Sequence, residues 1–254
     1  MNTHPHELRR IVGIAAPRDL VFAHFVESAR WAAWWGSGST IDAKPGGRVH
    51  VRHPNGVEAG GEVEHVAAPE RLAYSFGYAS GRPVPVGASR VTVRLDEAPG
   101  RGTRVELCHA FAEEGARDQH VQGWRFQLSM LANAVCDALH AGVAATCDAW
   151  FDLWAEPDAA ARAAALERIA VPGVCFHDCY SLLAGQDDVL AHVEASQRFM
   201  PGVRLVRVGE ARHCQGTVLA DWVARGADGQ ERLRGTNVFR MAPDGRIEVV
   251  TGLS

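Results

Sequence analysis

The sequence has 254 residues, of which 47% are hydrophobic and 22% are charged, so it fits one large or two modest globular domains. The formal net charge is −4, and neither half of the chain carries the basic excess that nucleic-acid binding requires. No apolar run is long enough to cross a bilayer and no signal-peptide pattern is visible, so no membrane contact is expected. The six cysteines include no CxxC pair, which favours a reduced, cytoplasmic protein without structural zinc.

The first half of the chain, residues 1–137, predicts an α+β domain that closes with a long helix. A strand-like segment covers 7–14, and Pro17 begins a helix that runs to about Glu27. A second, short helix covers 31–36 and ends at Gly36. Turn residues then separate five strand segments, at 47–53, 57–67, 70–78, 89–96 and 103–110. The closing helix, 113–136, carries an apolar residue every three or four positions: Val121, Trp124, Leu128, Leu131 and Val135.

A long helix that lies across the inward faces of the strands can leave a cavity between helix and sheet. Alternation places His109 on the inward face of the last strand, among apolar neighbours. The residues predicted to line the cavity are Trp35, Tyr74, Phe76, His109, Trp124 and Leu128. For any one of these aromatic residues, a place in the ordinary core is favoured over the cavity wall, since aromatic side chains dominate cores. A histidine satisfied by a buried hydrogen bond is also more common than a catalytic one.

Several segments of this half resemble one known family. They are APRDLVF (16–22), WAAWWG (31–36), PGGRV (45–49), GEVEHVAAPERLAYSF (61–76), SRVTVRL (89–95), GTRVELCHAF (102–111) and HVQGWRFQLSML (120–131). Together they resemble the heat-shock protein 90 ATPase activator homologue branch of the START/SRPBCC superfamily, over the whole half. The resemblance implies a helix-grip fold, in which a curved antiparallel sheet grips a C-terminal helix, and a site for a hydrophobic ligand.

The second half, residues 138–254, predicts another α+β unit. An amphipathic helix covers 139–156, and Asp158 is placed to cap a helix that runs to about Ile169. A strand at 174–180 and a third helix at 186–199 follow. Turn signals then separate four strands, at 203–212, 216–225, 230–241 and 246–253.

Two polar residues of this half are expected to point inward. Alternation along 174–180 puts Asp178 on the same face as Val174, Phe176 and Tyr180, and a carboxylate among apolar residues can serve as a general base. Asn237 shares a strand face with apolar neighbours in the same way. The alternative for Asp178 is structural, since an aspartate after a strand can accept hydrogen bonds from the following turn. Phe176, Tyr180 and Trp222 are predicted ligand-binding residues. His192 on the third helix could approach the mouth of the pocket, but a surface position is favoured.

The second half resembles the SnoaL-like branch of the nuclear transport factor two-like superfamily. The residues that carry the resemblance are Trp150 and Trp154 in the first helix, FHD (176–178), GQDDVLAHV (185–193), the strand with Trp222, and GTNVFRMAPDGRIEVVTG (235–252). The resemblance implies a cone, in which a bent sheet surrounds helices and leaves a pocket at its wide end. It also implies a possible homodimer through the outer sheet face, the side of Thr236, Val238 and Arg240.

The steroid isomerases of this superfamily suggest roles for three residues. By that resemblance, Asp178 falls at the position of the proton-shuttling aspartate. Asn237 falls at that of the protonated aspartate of the oxyanion hole, and Trp150 near that of the oxyanion-hole tyrosine. Because both acidic donors are replaced, the sequence departs from the steroid isomerase pattern while proton transfer stays open. Asparagine and indole N–H groups still donate hydrogen bonds.

Three functions are therefore open. The first is a two-domain intracellular binder of small hydrophobic molecules, polyketide-like or steroid-like. The second is a cofactor-independent isomerase or cyclase, with Asp178 as base and Asn237 and Trp150 polarising the substrate oxygen. The third is a chaperone-regulatory or assembly role of the first domain. No metal or other cofactor is expected.

Overall fold

The computed structural model describes residues 3–254. The chain divides into two compact units, of which the first ends at Leu139 and the second is His140–Ser254. The described residues of the first unit form seven strands and three α-helices: β1 (His6–Ile14), α1 (Arg18–Val26), α2 (Ser28–Trp35), β2 (Thr40–Ile41), β3 (Arg48–Arg52), β4 (Glu58–Ala67), β5 (Arg71–Tyr78), β6 (Ser89–Ala98), β7 (Gly102–Phe111) and α3 (Glu114–Leu139).

The first unit is an antiparallel sheet that grips the helix α3. The strand order is β1-β7-β6-β5-β4-β3-β2, and every neighbouring pair is antiparallel. Alternate residues of β7 are buried, from Val105 to Phe111, because a strand turns every second side chain to the same face. The helix α3 buries Trp124, Leu128 and Leu131 in the same core. This is the helix-grip fold that the sequence predicted.

Two details of the first unit differ from the prediction. The helix α2 begins at Ser28 rather than near residue 31, and the short strand β2 was not predicted. The Ser28 hydroxyl donates to the carbonyl of Ile41 and accepts from its N–H, both at 3.0 Å, and so ties the start of α2 to β2. A two-residue strand is too short to show an alternating pattern, which is why the sequence did not reveal it.

The second unit is a mixed sheet against three helices. Its described residues form α4 (Val143–Asp152), α5 (Ala159–Ile169), β8 (Ala170–His177), β9 (Leu182–Ala184), α6 (Gln186–Phe199), β10 (Arg204–Cys214), β11 (Thr217–Arg225), β12 (Glu231–Met241) and β13 (Ile247–Leu253). The strand order is β10-β11-β12-β13-β8-β9, and β13 and β8 are parallel while the other pairs are antiparallel.

The sheet of the second unit bends around its helices. Register shifts interrupt the β10–β11, β11–β12 and β12–β13 ladders, and such bulges bend a strand and increase its twist. The core inside the bend includes Trp150, Phe151, Leu166 and Phe239. The observed α+β architecture agrees with the predicted cone.

The strand β8 ends earlier than predicted. It stops at His177, and the chain then turns back to β9, with the Asp178 N–H donating to the Ser181 carbonyl at 3.0 Å. The face shared by Val174 and Phe176 therefore does not continue to Tyr180, whose side chain is 86% exposed. The prediction of one unbroken strand from 174 to 180 was wrong, because the hairpin with β9 begins at Asp178.

The helix α4 is shorter than the predicted helix at 139–156. It begins at Val143, after Gly142, and ends at Asp152. Asp158 caps α5 as predicted, since its side chain accepts a hydrogen bond from the Ala161 N–H at 2.7 Å. In the described part of the chain, no single helix is long and apolar enough to span a membrane, and only α3 and α4 taken together meet that test.

The outer face of β12 carries the residues of the predicted dimer interface. Thr236 donates a hydrogen bond to Asp221 at 2.6 Å, and Arg240 donates to Glu248 at 3.0 Å. These polar groups are thus bonded within one sheet face. The homodimer itself stays a prediction.

Candidate functional site

The second unit contains a cavity of about 820 Å³. Its walls come from the end of α4, from α6, from the turn after β8 and from strands β10 to β13. The residues that line it are Trp154, Phe176, Asp178, Tyr180, Ser181, His192, Ser196, Gln197, Phe199, Met200, Val203, Leu205, Trp222, Ala224, Arg232, Leu233, Asn237, Gly252, Leu253 and Ser254. Twelve of these twenty residues are aromatic, aliphatic or glycine, and the other eight are polar or charged. A mainly apolar wall with some polar groups is the usual composition of a small-molecule site.

Asp178 and Asn237 lie on the same wall of this cavity. Asn237 on β12 pairs with Gly252 on β13. A Cβ atom added to Gly252 would lie 3.1 Å from the Cβ of Asp178 and 3.5 Å from the Oδ1 of Asn237. The bare backbone of Gly252 therefore leaves the space in which both polar side chains reach the cavity.

The carboxylate of Asp178 has a structural task and a free oxygen. Its Oδ1 accepts a hydrogen bond from the Tyr180 N–H at 2.8 Å, which stabilises the turn between β8 and β9. The other oxygen has no hydrogen-bond partner among the residues that the structure describes. One oxygen of Asp178 thus has the structural role of accepting a hydrogen bond from the following turn, and the second oxygen is available to a ligand.

The amide of Asn237 is oriented by Trp222. The indole N–H of Trp222 donates to the Oδ1 of Asn237 at 3.0 Å. An indole nitrogen donates and does not accept, so the oxygen of the amide must face Trp222 and the NH2 group must face away from it. Asn237 is only 5% exposed and lines the cavity. Its NH2 nitrogen has no hydrogen-bond partner among the described residues and is not fully buried, so this donor is open to a ligand.

The structure does not bring Trp150 to the cavity wall beside Asp178 and Asn237. Trp150 is fully buried, and its ring packs against Trp154 and Phe176 at centroid distances of 5.3 and 5.8 Å. Its indole N–H has no hydrogen-bond partner among the described residues. Trp154, four residues later, lines the cavity instead.

His192 lines the cavity, although the sequence analysis placed it nearer the surface. Its ring centroid lies 5.9 Å from that of Phe176, and the Ser196 hydroxyl donates to the backbone carbonyl of His192 at 2.9 Å. The buried residues of α6 are Val189 and Val193. His192 precedes Val193, so the stripe of valines was a signal that its side chain lies at the edge of the inward face.

The first unit contains a cavity of about 630 Å³ between α2, α3 and the sheet. Of the predicted lining residues, Trp35, Phe76 and Trp124 line it, whereas Tyr74, His109 and Leu128 are buried in the core.

Several polar lining residues of this first cavity were not predicted, notably His53, Tyr78 and His120. Tyr78 shares a strand face with Phe76, and His120 lies one helical turn before Trp124, so periodicity was a signal for both. His53 lies in the turn between β3 and β4 and had no such signal.

His109 belongs to a series of hydrogen bonds in the core that runs from Trp124 to the carbonyl of Phe76. The Trp124 indole N–H donates to the Nδ1 of His109 at 2.9 Å. The proton of the neutral ring is therefore on Nε2, and this N–H donates to the Ser89 hydroxyl at 2.8 Å. Ser89 in turn donates to the carbonyl of Phe76 at 2.8 Å. Burial, followed by repulsion from His120, lowers the pKa of His109 well below 6.5. His109 is thus a neutral core residue with both ring nitrogens bonded.

The histidines that line the first cavity are held neutral. Burial lowers the pKa of both His53 and His120, and a hydrogen bond to the Ala116 carbonyl partly offsets this for His120. Because the Nδ1 of His120 lies 2.7 Å from that carbonyl, it carries the proton. The Nε2 then accepts from the Tyr78 hydroxyl at 3.3 Å. Burial raises the pKa of Tyr78, so this pair carries no charge near neutral pH.

No metal centre is formed by the side chains that the structure describes, because they include no group of three or more His, Cys, Asp or Glu residues placed to hold an ion. In the second cavity, the two polar side chains that share a wall are the carboxylate of Asp178 and the amide of Asn237. A carboxylate and an amide donor on one wall can bind a polar group or move a proton.

Residues 15–135 match the family model of the Activator of Hsp90 ATPase homolog 1-like protein. The match lies within the first unit and covers slightly less than half of the chain. It confirms the resemblance that the motifs of the first half predicted. Among curated proteins, no sequence matches the chain significantly.

Several solved structures are similar to part of the chain. A protein of the SnoaL-like family from Agrobacterium tumefaciens str. C58 is 24% identical and covers 46% of this chain and 98% of its own, with a TM-score of 0.43. The Aha1 dimer from Colwellia psychrerythraea is 15% identical, covers 51% and 96%, and has a TM-score of 0.45. CalU16 from Micromonospora echinospora is 29% identical, covers 51% and 74%, and has a TM-score of 0.41. Both family names that the sequence motifs suggested are thus among the matches.

Proposed function

We propose that the protein is a two-domain binder of small hydrophobic molecules, with one site in the cavity of each unit. The observation that carries the proposal is the cavity of about 820 Å³ in the second unit, whose walls are mainly aromatic and aliphatic. A cavity of this size and lining can bury most of a drug-sized molecule. The resemblance of both halves to families of ligand-binding or isomerase-type domains supports the proposal.

The direct test of ligand binding is whether the purified protein retains a small molecule. Native mass spectrometry of freshly purified protein should show a bound small molecule, and the neutral dye Nile red should bind to protein from which that molecule has been removed. The proposal fails if no small molecule is retained and the dye does not bind.

Variants that fill one cavity at a time locate the ligand. Gly123 lies on α3 at the first cavity, and a Cβ atom there would meet nothing within 4 Å. Gly123→Leu should therefore weaken binding in the first unit, while Gly115→Leu on the same helix, away from the cavity, should not. Ala224→Leu should weaken binding in the second unit, and Ala227→Leu in the following turn is its control.

A second candidate function is proton abstraction next to a carbonyl group in the second cavity. The specific observation in its favour is that Asp178, with one free oxygen, and Asn237, with its NH2 group toward the cavity, share a wall. In such a step the carboxylate takes a proton from the carbon next to the carbonyl, and the amide stabilises the negative charge that develops on the oxygen. The proton then returns to carbon.

Exchange of such protons with solvent is measurable without knowing the natural substrate. The ketone 2-tetralone in deuterated water should exchange its α-protons faster with the wild-type protein than without it, as followed by NMR. Asp178→Asn should remove the acceleration, whereas Asp187→Asn, on the first turn of α6, should keep it. An equal rate for wild type and Asp178→Asn would exclude this role.

A further inference from the structure

Which hydrogen-bonding group Asn237 offers at the wall of the second cavity depends on which way its buried amide faces. Asn237 can offer either its oxygen or its NH2 group, and the two orientations have nearly the same shape. The Trp222 N–H, at 3.0 Å from the Oδ1, decides between them. A flipped amide would turn its NH2 group against the indole N–H, so that the hydrogen bond would be lost and two donors would face each other.

The indole of Trp222 is itself held by the strand beside it. Trp222 on β11 pairs with Gly235 on β12. A Cβ atom added to Gly235 would lie 2.7 Å from the Cζ2 of Trp222 and 3.0 Å from its Cε2. The ring therefore lies against bare backbone, two residues before Asn237 on the same strand. Any side chain at position 235 would push the indole away from the amide.

We propose that Trp222 is a positioning residue, which holds the Asn237 amide with its NH2 group toward the cavity and so selects apolar ligands that carry a hydrogen-bond acceptor, such as a ketone oxygen. The inference deepens the proposed binding function and rests on it for the occupancy of the cavity. Removal of the Trp222 N–H frees the amide to turn. The cavity then offers an acceptor as readily as a donor, and its preference for acceptor-bearing ligands is lost.

A matched pair of probes separates this selectivity from general apolar binding. The probes are 9-fluorenone and fluorene, which share a tricyclic skeleton and differ in the ketone oxygen. By calorimetry, the wild-type protein should bind fluorenone about tenfold more tightly than fluorene, as expected for one additional hydrogen bond in a buried site. In the infrared spectrum, the carbonyl band of bound fluorenone should lie at lower frequency than that of fluorenone in an apolar solvent.

The informative variant is Trp222→Phe, which keeps an aromatic ring and removes the N–H. Because Trp222 also lines the cavity, the readout is the ratio of the two affinities. Trp222→Phe should lose most of the preference for fluorenone over fluorene and return the carbonyl band toward its position in apolar solvent. Trp154→Phe removes an indole from the same cavity, and among the described residues this indole makes no hydrogen bond to the amide. It should change the affinity for both probes alike and leave the infrared shift in place.

The possible results are distinct. If Trp222→Phe keeps both the preference and the infrared shift, the positioning role is overturned while the binding function stands. If neither probe binds the wild type, the binding function of this cavity fails and the inference fails with it. Should Trp222→Phe not fold by circular dichroism, Asn237→Leu removes the donor directly, and a retained preference in that variant refutes the inference.

Discussion

Acidification should destabilise the first unit through His109. The neutral ring accepts the Trp124 N–H at Nδ1, so protonation would set two N–H groups against each other in the core. Burial accordingly holds the pKa of His109 well below 6.5 in the folded state, whereas the unfolded chain takes up a proton near pH 6.5. The stability from this residue is therefore present above pH 6.5 and is lost as the pH falls from there toward the folded pKa.

The magnitude follows from the linkage between protonation and folding. For one histidine that stays neutral in the folded state, the free energy of unfolding falls by about 1.4 kcal/mol between about pH 7.5 and about pH 5.5. Burial also lowers the pKa of His24, His53 and His120. The total fall in the free energy of unfolding of the wild type is thus larger, and a variant is needed to isolate the contribution of His109.

Glutamine at position 109 supplies that comparison, because it does not titrate. The full chain is unfolded in urea at the two pH values. Hydrogen exchange of the β6 and β7 amides identifies the transition of the first unit, so its free energy of unfolding is obtained at each pH. His109→Gln should lose about 1.4 kcal/mol less than the wild type over this pH interval. The exposed His65→Gln is the control and should behave as the wild type. Equal losses in His109→Gln and wild type would refute the argument.

Three further substitutions have expected effects on stability, each measurable by urea unfolding. Ser89→Ala leaves the buried N–H of His109 without an acceptor and should cost about 1–3 kcal/mol. Asp158→Ala removes the side-chain cap of α5 and should cost about 0.5–2 kcal/mol, whereas Asp158→Asn should keep most of it. Gly252→Ala places a Cβ atom 3.1 Å from that of Asp178 and should cost roughly 1–3 kcal/mol. Gly173→Ala, where a Cβ atom meets nothing within 4 Å, is the matched control and should cost much less.

Periodicity accounts for what the sequence predicted well. The helix α3 and the inward faces of β5 and β7 follow from apolar residues at helical and alternating spacing. The same alternation pointed Asn237 inward, and that residue is buried. These are properties of single elements, and each can be derived from a short stretch of chain.

What the sequence did not reveal depends on where a chain turns or on which elements meet. The strand β8 ends at His177 because a hairpin to the three-residue strand β9 begins there, and so short a strand leaves no pattern. His109 is bonded by Trp124 and Ser89, which lie on α3 and β6, and no local pattern shows that contact.

The bond between Trp222 and Asn237 depends on a register shift that the sequence did not reveal. A hairpin centred on the turn GADG at 226–229 would pair Trp222 with Leu233. The ladder between β11 and β12 shifts register next to this turn, and the observed partner of Trp222 is Gly235. Asn237 is then the diagonal neighbour of Trp222 on one sheet face.

The two cavities differ in the chemistry that they can support. Abstraction of a proton from carbon needs a base with an available lone pair. In the first cavity, the Nε2 of His120 already accepts from Tyr78, and the described lining residues include no Asp, Glu, Lys or Arg. The Nε2 of His53, which also lines this cavity, has no hydrogen-bond partner among the described residues. In the second, Asp178 keeps one oxygen without a protein partner beside an amide donor that Trp222 orients. The second cavity therefore combines a carboxylate base with an oriented donor, whereas the base of the first would be the imidazole of His53.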